Sequence, residues 1–154
     1  MIVAPSRSLP MLASSAAAPP LVQAENVVRS RPVLLVDGDP DARIILRRLL
    51  EYHGYQAIEA VDQDAALALA REYDVSLIVS ELLVHCGDGM ACFVESVRAD
   101  SALSEIPVLI VTTQAFDADE QRARSAGSAG YIVKPFAASE VMAEITRLAS
   151  APAM

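Results

Sequence analysis

From Arg31 onward the chain alternates short apolar runs with amphipathic segments, and this alternation limits the fold more than any other feature. Most of these runs are apolar throughout rather than strictly alternating, which is typical of strands buried on both faces. Five runs and five amphipathic segments therefore predict an α/β fold with a parallel sheet between two layers of helices. The strands are predicted at Pro32–Asp37, Tyr55–Ala60, Val75–Ser80, Pro107–Thr113 and Gly130–Lys134, and the helices at Asp39–Gly54, Asp62–Tyr73, Gly89–Asp100, Asp117–Gly127 and Ala138–Ser150.

Connections of this length between parallel strands are right-handed crossovers. The leading candidate is a flavodoxin-like doubly wound sheet of five parallel strands in the order 2-1-3-4-5, with helices on both faces. Functional groups in such sheets lie beyond the carboxyl ends of the strands. The residues that end the strands are therefore the first candidates for a site.

The first helix carries clear start and stop signals. Asp39 is a natural N-cap, Pro40 suits the first helical position, and Gly54 ends the helix. Periodicity predicts a buried stripe and leaves the arginines toward solvent. The predicted stripe contains Ile44, Ile45, Leu49 and Tyr52, and the solvent side contains Arg43, Arg47 and Arg48.

Length and composition narrow the class of protein. The 154 residues suit one domain with tails: we expect a disordered tail over 1–30, a domain over 31–150 and a short tail over 151–154. With 53% hydrophobic and 5% aromatic residues, the core must be aliphatic. A net charge of −8 excludes the basic face of a nucleic-acid-binding protein. No run of about 20 apolar residues exists, so we expect no membrane segment.

The two cysteines do not indicate a metal site. Cys86 and Cys92, with His85 beside the first, do not match a zinc-ligand spacing. We interpret them as reduced thiols, which predicts a cytoplasmic protein.

Charged and hydroxyl side chains gather at the predicted carboxyl edge of the sheet. Asp37 ends the first strand, Glu81 the third, Thr112 the fourth and Lys134 the fifth. Lys134 is the only lysine among 12 basic residues, the others being arginine. A lysine in this setting indicates that a compact point charge is needed there.

This set of motifs resembles the receiver domain of two-component response regulators over about residues 31–150. The matching segments are VLLVDGDPDAR, LIVSELLVHCGDG, PVLIVTT and GYIVKPF, in this order. The resemblance implies a phosphorelay role in which Glu81 occupies the phosphoacceptor position and Lys134 senses phosphate. It implies Thr112 and Tyr131 as the switch residues, and acids after the first strand as Mg²⁺ ligands.

Two departures from the family pattern affect the acidic site directly. The second acid after the first strand is replaced by Gly38, and Asp39 is either a helix cap or a compensating ligand. The acceptor aspartate is replaced by Glu81; Ser80 is rejected as a displaced acceptor because adjacent strand residues face opposite sides. We expect a weakened Mg²⁺ site and little phosphoryl transfer.

Three interpretations of Glu81 remain open at this point. It is a relic that neutralises Lys134, a mimic of the phosphorylated acid, or an acceptor that is still phosphorylated.

The first functional hypothesis is a stand-alone atypical receiver that is not an enzyme and signals by binding a protein partner. The expected binding face comprises the fourth helix, the fifth strand and the fifth helix, and includes Gln121, Arg122, Tyr131 and Val141. A histidine kinase is a further candidate partner, and the resemblance also allows a homodimer.

The second hypothesis is a receiver that still takes a phosphoryl group from a histidine kinase with Mg²⁺, using Glu81, Asp37, Asp39 and Lys134. A flavin- or nucleotide-binding protein ranks last, because acids after the first strand repel phosphate.

Overall fold

The computed structural model describes residues 31–81 and 90–149, the latter without the side chains of residues 90–92. In these ranges five parallel strands form one sheet in the order β2-β1-β3-β4-β5, which confirms the predicted fold class. The strands are β1 (Val33–Val36), β2 (Ala57–Ala60), β3 (Leu77–Ser80), β4 (Val108–Thr112) and β5 (Gly130–Val133), and the helices are α1 (Pro40–Tyr52), α2 (Gln63–Glu72), α3 (Met90–Ala99), α4 (Asp117–Ala126) and α5 (Ala138–Ala149).

The sheet divides the core into two aliphatic layers. Leu34 and Ile78 lie on the face covered by α2, α3 and α4, whereas Leu35 and Val79 lie on the face covered by α1 and α5. In the central strands β1, β3 and β4 successive residues thus enter opposite cores, so nearly every position of these strands is apolar. In the described part of the chain, Phe93 is the one aromatic side chain in the buried core.

The predicted N-terminus of α1 is confirmed. The Asp39 side chain accepts a hydrogen bond from the Asp41 backbone N–H, and Pro40 occupies the first helical position. This bond satisfies one of the N–H groups that a helix start leaves without an internal acceptor. Asp39 is therefore a helix cap in this structure.

The predicted buried stripe of α1 is wrong in large part. The helix buries Leu46 and Leu50, with Leu49 half-buried, whereas Ile45 is 61% and Tyr52 69% exposed. Ile44 is also exposed. The helix carries apolar residues on two sides, and only the side with Leu46 and Leu50 packs on the sheet.

Two further placements from the sequence need correction. Arg43 does not point to solvent: only 14% of its side chain is exposed, and it contacts Glu59. Val141, expected on the binding face, is fully buried in the core between α5 and the sheet. It cannot contact a partner without unfolding of α5.

Several predictions fall outside the described residues. These are the tails at 1–30 and 151–154, and the loop residues His85 and Cys86. Of Cys92 only the backbone is described. Within the described ranges, no helix is both long and apolar enough to cross a bilayer.

Candidate functional site

The strand register brings three charged side chains together at one edge of the sheet. Val36 aligns with Ser80 in the pairing of β1 with β3, so Asp37 and Glu81 leave the sheet side by side. Lys134 follows β5 and reaches across β4 toward both. Its Nζ lies 2.9 Å from Glu81 Oε2 and 3.4 Å from Asp37 Oδ2. The sequence-predicted grouping of these three residues is thus what the structure shows.

The ion pairs are largely shielded from water. The exposed side-chain fractions are 6% for Glu81, 9% for Asp37 and 21% for Lys134. Burial of the ammonium is the largest influence on the pKa of Lys134 and acts to lower it. The hydrogen bond and charge of Glu81, together with Asp37, outweigh burial, so the pKa is raised and the lysine stays charged.

Asp37 is held by the turn that it begins. Its Oδ1 accepts a hydrogen bond of 2.8 Å from the Asp39 backbone N–H. Its backbone carbonyl accepts a bond of 2.6 Å from Arg43 Nη1, and Arg43 Nε donates to Glu59 at 2.9 Å. The backbone carbonyl and the side chain of Asp37 are therefore both fixed, and its Oδ2 is oriented toward Lys134.

Arg43 is a site residue that the sequence analysis missed. It lies on the α1 turn that faces β2, where its guanidinium is shared between the Asp37 carbonyl and Glu59. The signal available in the sequence was an arginine close after Asp37 and an acid in the neighbouring strand. That signal is weak, because the same arginine also fits a solvent-exposed helix position.

The residues present do not fit a resident Mg²⁺ ion. Both Asp37 and Glu81 engage the Lys134 ammonium, and the Asp39 carboxylate caps α1. Gly38 contributes no side chain, and the described ranges contain no group of three or more metal-ligating side chains. Mg²⁺ needs several oxygen ligands in near-octahedral geometry, and here a lysine competes for the two buried carboxylates.

Gly38 leaves room for the missing acid. A Cβ placed on Gly38 would meet only the Val61 carbonyl oxygen, at an ordinary contact distance of 3.7 Å. The residue is also exposed. An aspartate could be placed here by substitution without displacing the core.

The two predicted switch residues meet the same loop residue. Thr112 is fully buried, and its Oγ1 accepts a hydrogen bond of 3.1 Å from the Gln114 backbone N–H. The Tyr131 hydroxyl donates to the Gln114 carbonyl oxygen at 2.9 Å. Gln114 thus connects the residue at the end of β4 to the aromatic residue on β5, and no sequence signal identifies a contact made by backbone atoms.

The position of Tyr131 is reflected in its acidity. Burial, followed by the negative charges of Asp119, Glu120 and Glu81, raises the pKa of Tyr131 to about 12. The hydroxyl therefore remains a hydrogen-bond donor across the physiological pH range.

The chemistry of the site follows from these contacts. A carboxylate can accept a phosphoryl group, and an ammonium beside it can bind the phosphoryl oxygens. Here Glu81 and Lys134 already bind each other, so a donor would have to displace an ion pair that is formed in advance.

An open parallel sheet with acids, a threonine and a lysine at its carboxyl edge places the chain in the flavodoxin-like fold class. The chain belongs to the response regulator receiver domain family, whose family model matches residues 33–146. It is thus a receiver domain of two-component signalling.

Curated relatives and solved structures agree with this assignment. The chain is 30% identical over 116 residues to the phosphate regulon transcriptional regulatory protein PhoB of Escherichia coli K12, covering 75% of this chain and 50% of the relative. The chain therefore spans about half the length of the curated relatives that it matches. The chemotaxis response regulator CheY4 of Vibrio cholerae is 28% identical, with a TM-score of 0.71, covering 77% of this chain and 98% of that one.

A more distant neighbour supports the fold alone. The receiver domain of the sensor histidine kinase PA1611 from Pseudomonas aeruginosa is 20% identical, with a TM-score of 0.71, covering 79% of this chain and 99% of that one. In that structure a magnesium ion is coordinated in the active site cleft.

Proposed function

We propose that this chain is an atypical receiver in which the acceptor position no longer takes a phosphoryl group. The observation that carries the proposal is the contact of 2.9 Å between Glu81 and Lys134. The acid at the acceptor position is bound by the same lysine that would otherwise contact the phosphoryl oxygens. The receiver then acts by binding a protein partner, with its state set by Glu81 or by concentration rather than by phosphate.

Glutamate is poorly suited to phosphoryl transfer from this position. Transfer requires the attacking carboxylate oxygen in line with the donor, and a displacement of about 1 Å can cost about a hundredfold in rate. The extra methylene of Glu81 moves that oxygen further from the strand than an aspartate would. The described carboxylates also support only weak Mg²⁺ binding, because a lysine competes for them.

The same geometry supports a mimic of the phosphorylated state. Glu81 places a negative charge against Lys134, as an acyl phosphate would, although with one charge rather than about two. Thr112 and Tyr131 are both engaged with Gln114, so the β4 end and β5 are held in one arrangement. We propose that this arrangement is the one that partners recognise.

The proposed partner surface is the α4-β5-α5 face without Val141. Gln121 and Arg122 are exposed on α4, and Tyr131 is half-buried beside them on β5. A histidine kinase is a further candidate for this domain.

The intact mass of the protein after incubation with acetyl phosphate and Mg²⁺ tests the proposal. We expect no phosphoryl adduct on the wild-type chain. The alternative function, a receiver that still takes a phosphoryl group, requires an adduct that disappears in Glu81→Gln. The matched control is Glu95→Gln, which removes an exposed carboxylate on α3 and should leave any adduct unchanged.

A further inference from the structure

Helix α1 exposes an apolar stripe that nothing in the described chain covers. Ile44 is 40%, Ile45 61% and Tyr52 69% exposed. At 100° per residue these side chains fall within one third of the helix circumference, together with Asp41 and Arg48. Exposed apolar residues that cluster on one helix face are typical of a contact surface.

Two charged side chains within this stripe have no ion-pair partner in the described part of the chain. Nine arginines lie in that part, and eight of them contact a carboxylate or a backbone carbonyl. Arg48 is the ninth. Asp41 likewise has no cation beside its carboxylate, although its backbone N–H is capped by Asp39. The neighbouring charges on α1 are already used within the chain, because Arg43 and Arg47 both bind Glu59.

We propose that α1 packs antiparallel against α1 of a second copy of this chain. When Ile44 lies opposite Ile45 of the second copy, Asp41 lies opposite Arg48 of the second copy. The reason is that Asp41 and Arg48 each lie three residues outside the isoleucine pair. The two-fold axis repeats every contact, so the interface contains two isoleucine pairs at its centre and one ion pair at each end.

Charge favours a second copy over other occupants. The chain has a net charge of −8, so most faces of two copies repel each other. The α1 stripe is self-complementary, since its acid and its base are arranged to meet in the antiparallel pair. Antiparallel helices also place each positive dipole end beside a negative one.

A single pair of helix faces buries less surface than a standard interface. Interfaces of this size belong to weak, transient complexes, so we expect a dissociation constant on the order of 100 μM. This assembly is independent of the role of Glu81, and it leaves the α4-β5-α5 face free.

Sedimentation velocity over a range of concentrations tests the inference on the full chain. Asp41→Arg alone and Arg48→Asp alone each create like charges at both ends, and we expect at least about tenfold weaker self-association. An equimolar mixture of the two variants restores both ion pairs in the mixed dimer, so its association should return to the wild-type level. Ile45→Ser should also abolish the dimer, while the circular dichroism of all variants should remain that of the folded protein.

Two controls separate this contact from others. Arg71→Asp makes the same charge change on α2 and should leave self-association unchanged. A wild-type chain that is monomeric at all concentrations overturns the inference, as does a mixture of variants that fails to associate. Loss of the dimer in Arg122→Asp, with no loss in Arg48→Asp, would place the contact on the α4-β5-α5 face and overturn it as well.

Discussion

At the residue scale, the positive charge of Lys134 neutralises the two carboxylates of the site. Lys134 is the only lysine in the chain, and it faces two carboxylates that are almost fully buried. Two buried carboxylates without a cation repel each other and lose their solvation. The lysine therefore has a structural role whether or not a phosphoryl group ever reaches the site.

Replacement of Lys134 by methionine should destabilise the fold. We expect Lys134→Met to lower the free energy of unfolding by about 2–4 kcal/mol at neutral pH, because a buried pair loses one member. Urea unfolding measures the loss. The matched control is Arg147→Met, which breaks an exposed pair with Glu144 and should leave the free energy of unfolding almost unchanged. Adding Glu81→Gln to Lys134→Met should recover part of the lost stability, because one buried carboxylate is removed. Equal losses in Lys134→Met, Arg147→Met and the double variant would contradict a charge-balancing role.

The raised pKa of Tyr131 predicts a loss of stability in alkali. Its pKa of about 12 in the folded chain lies above the ordinary value of 10.0, so the folded state holds this proton more tightly. The resulting stabilisation is complete below about pH 10 and is lost as the pH rises toward about 12. The raised pKa of Lys134 acts in the same direction above its ordinary value of 10.5.

Tyr131→Phe should therefore flatten the alkaline decline. Urea unfolding of the variant and the wild type, compared between about pH 9 and about pH 12, gives the difference. Tyr52→Phe is the matched control, since Tyr52 is 69% exposed. An identical decline in wild type and Tyr131→Phe would show that the proton of Tyr131 does not contribute.

At the element scale, Arg98 joins the end of α3 to two other segments. Its guanidinium donates to the carbonyl oxygens of Ser104 and Ile106 before β4, and to that of Gly127 after α4. Burial is the main reason that the pKa of Arg98 is lowered, although Glu105 opposes this shift. The planar guanidinium reaches three carbonyls at once, which a single ammonium cannot do.

Arg98→Lys should therefore be a costly substitution although it keeps the charge. We expect a loss of about 2 kcal/mol in the free energy of unfolding, since at least two partly buried carbonyls lose their donors. Arg71→Lys on the surface of α2 is the control and should change stability by less than about 0.5 kcal/mol. Equal stability of the Arg98→Lys variant and the wild type would mean that these carbonyls find water instead.

Helix α1 shows where sequence patterns stop being informative. Its cap was predictable because Asp39 and Pro40 are local signals. Its buried face was not predictable. The face with Ile44 and Ile45 is the more apolar one, whereas the face with Leu46 and Leu50, which packs on the sheet, also carries arginines. In the folded protein α1 is oriented so that Arg43 binds the Asp37 carbonyl and Glu59. The orientation of α1 depends on contacts between residues distant in sequence, and the periodicity of the helix carries no information about them.

At the scale of the whole molecule, the fold and the place of the site could both be predicted. Unbroken apolar runs require strands between two cores, and the ends of parallel strands meet at one edge. Asp37, Glu81 and Lys134 followed from that rule. The contacts through Gln114 did not, because they use backbone atoms whose positions are set by packing.

We propose that two residues together silence the site: a glutamate held by Lys134 at the acceptor position, and Gly38 where the family has an acid. Calorimetric titration of Mg²⁺ into four proteins tests it most directly: wild type, Glu81→Asp, Gly38→Asp and the double variant. We predict weak binding in the first three and binding tighter by at least about tenfold in the double variant, because Mg²⁺ needs several oxygen ligands. Binding by Glu81→Asp alone as tight as that of the double variant would show that Gly38 is not what weakens the site, and tight binding by the wild type would contradict the proposed loss of the metal site.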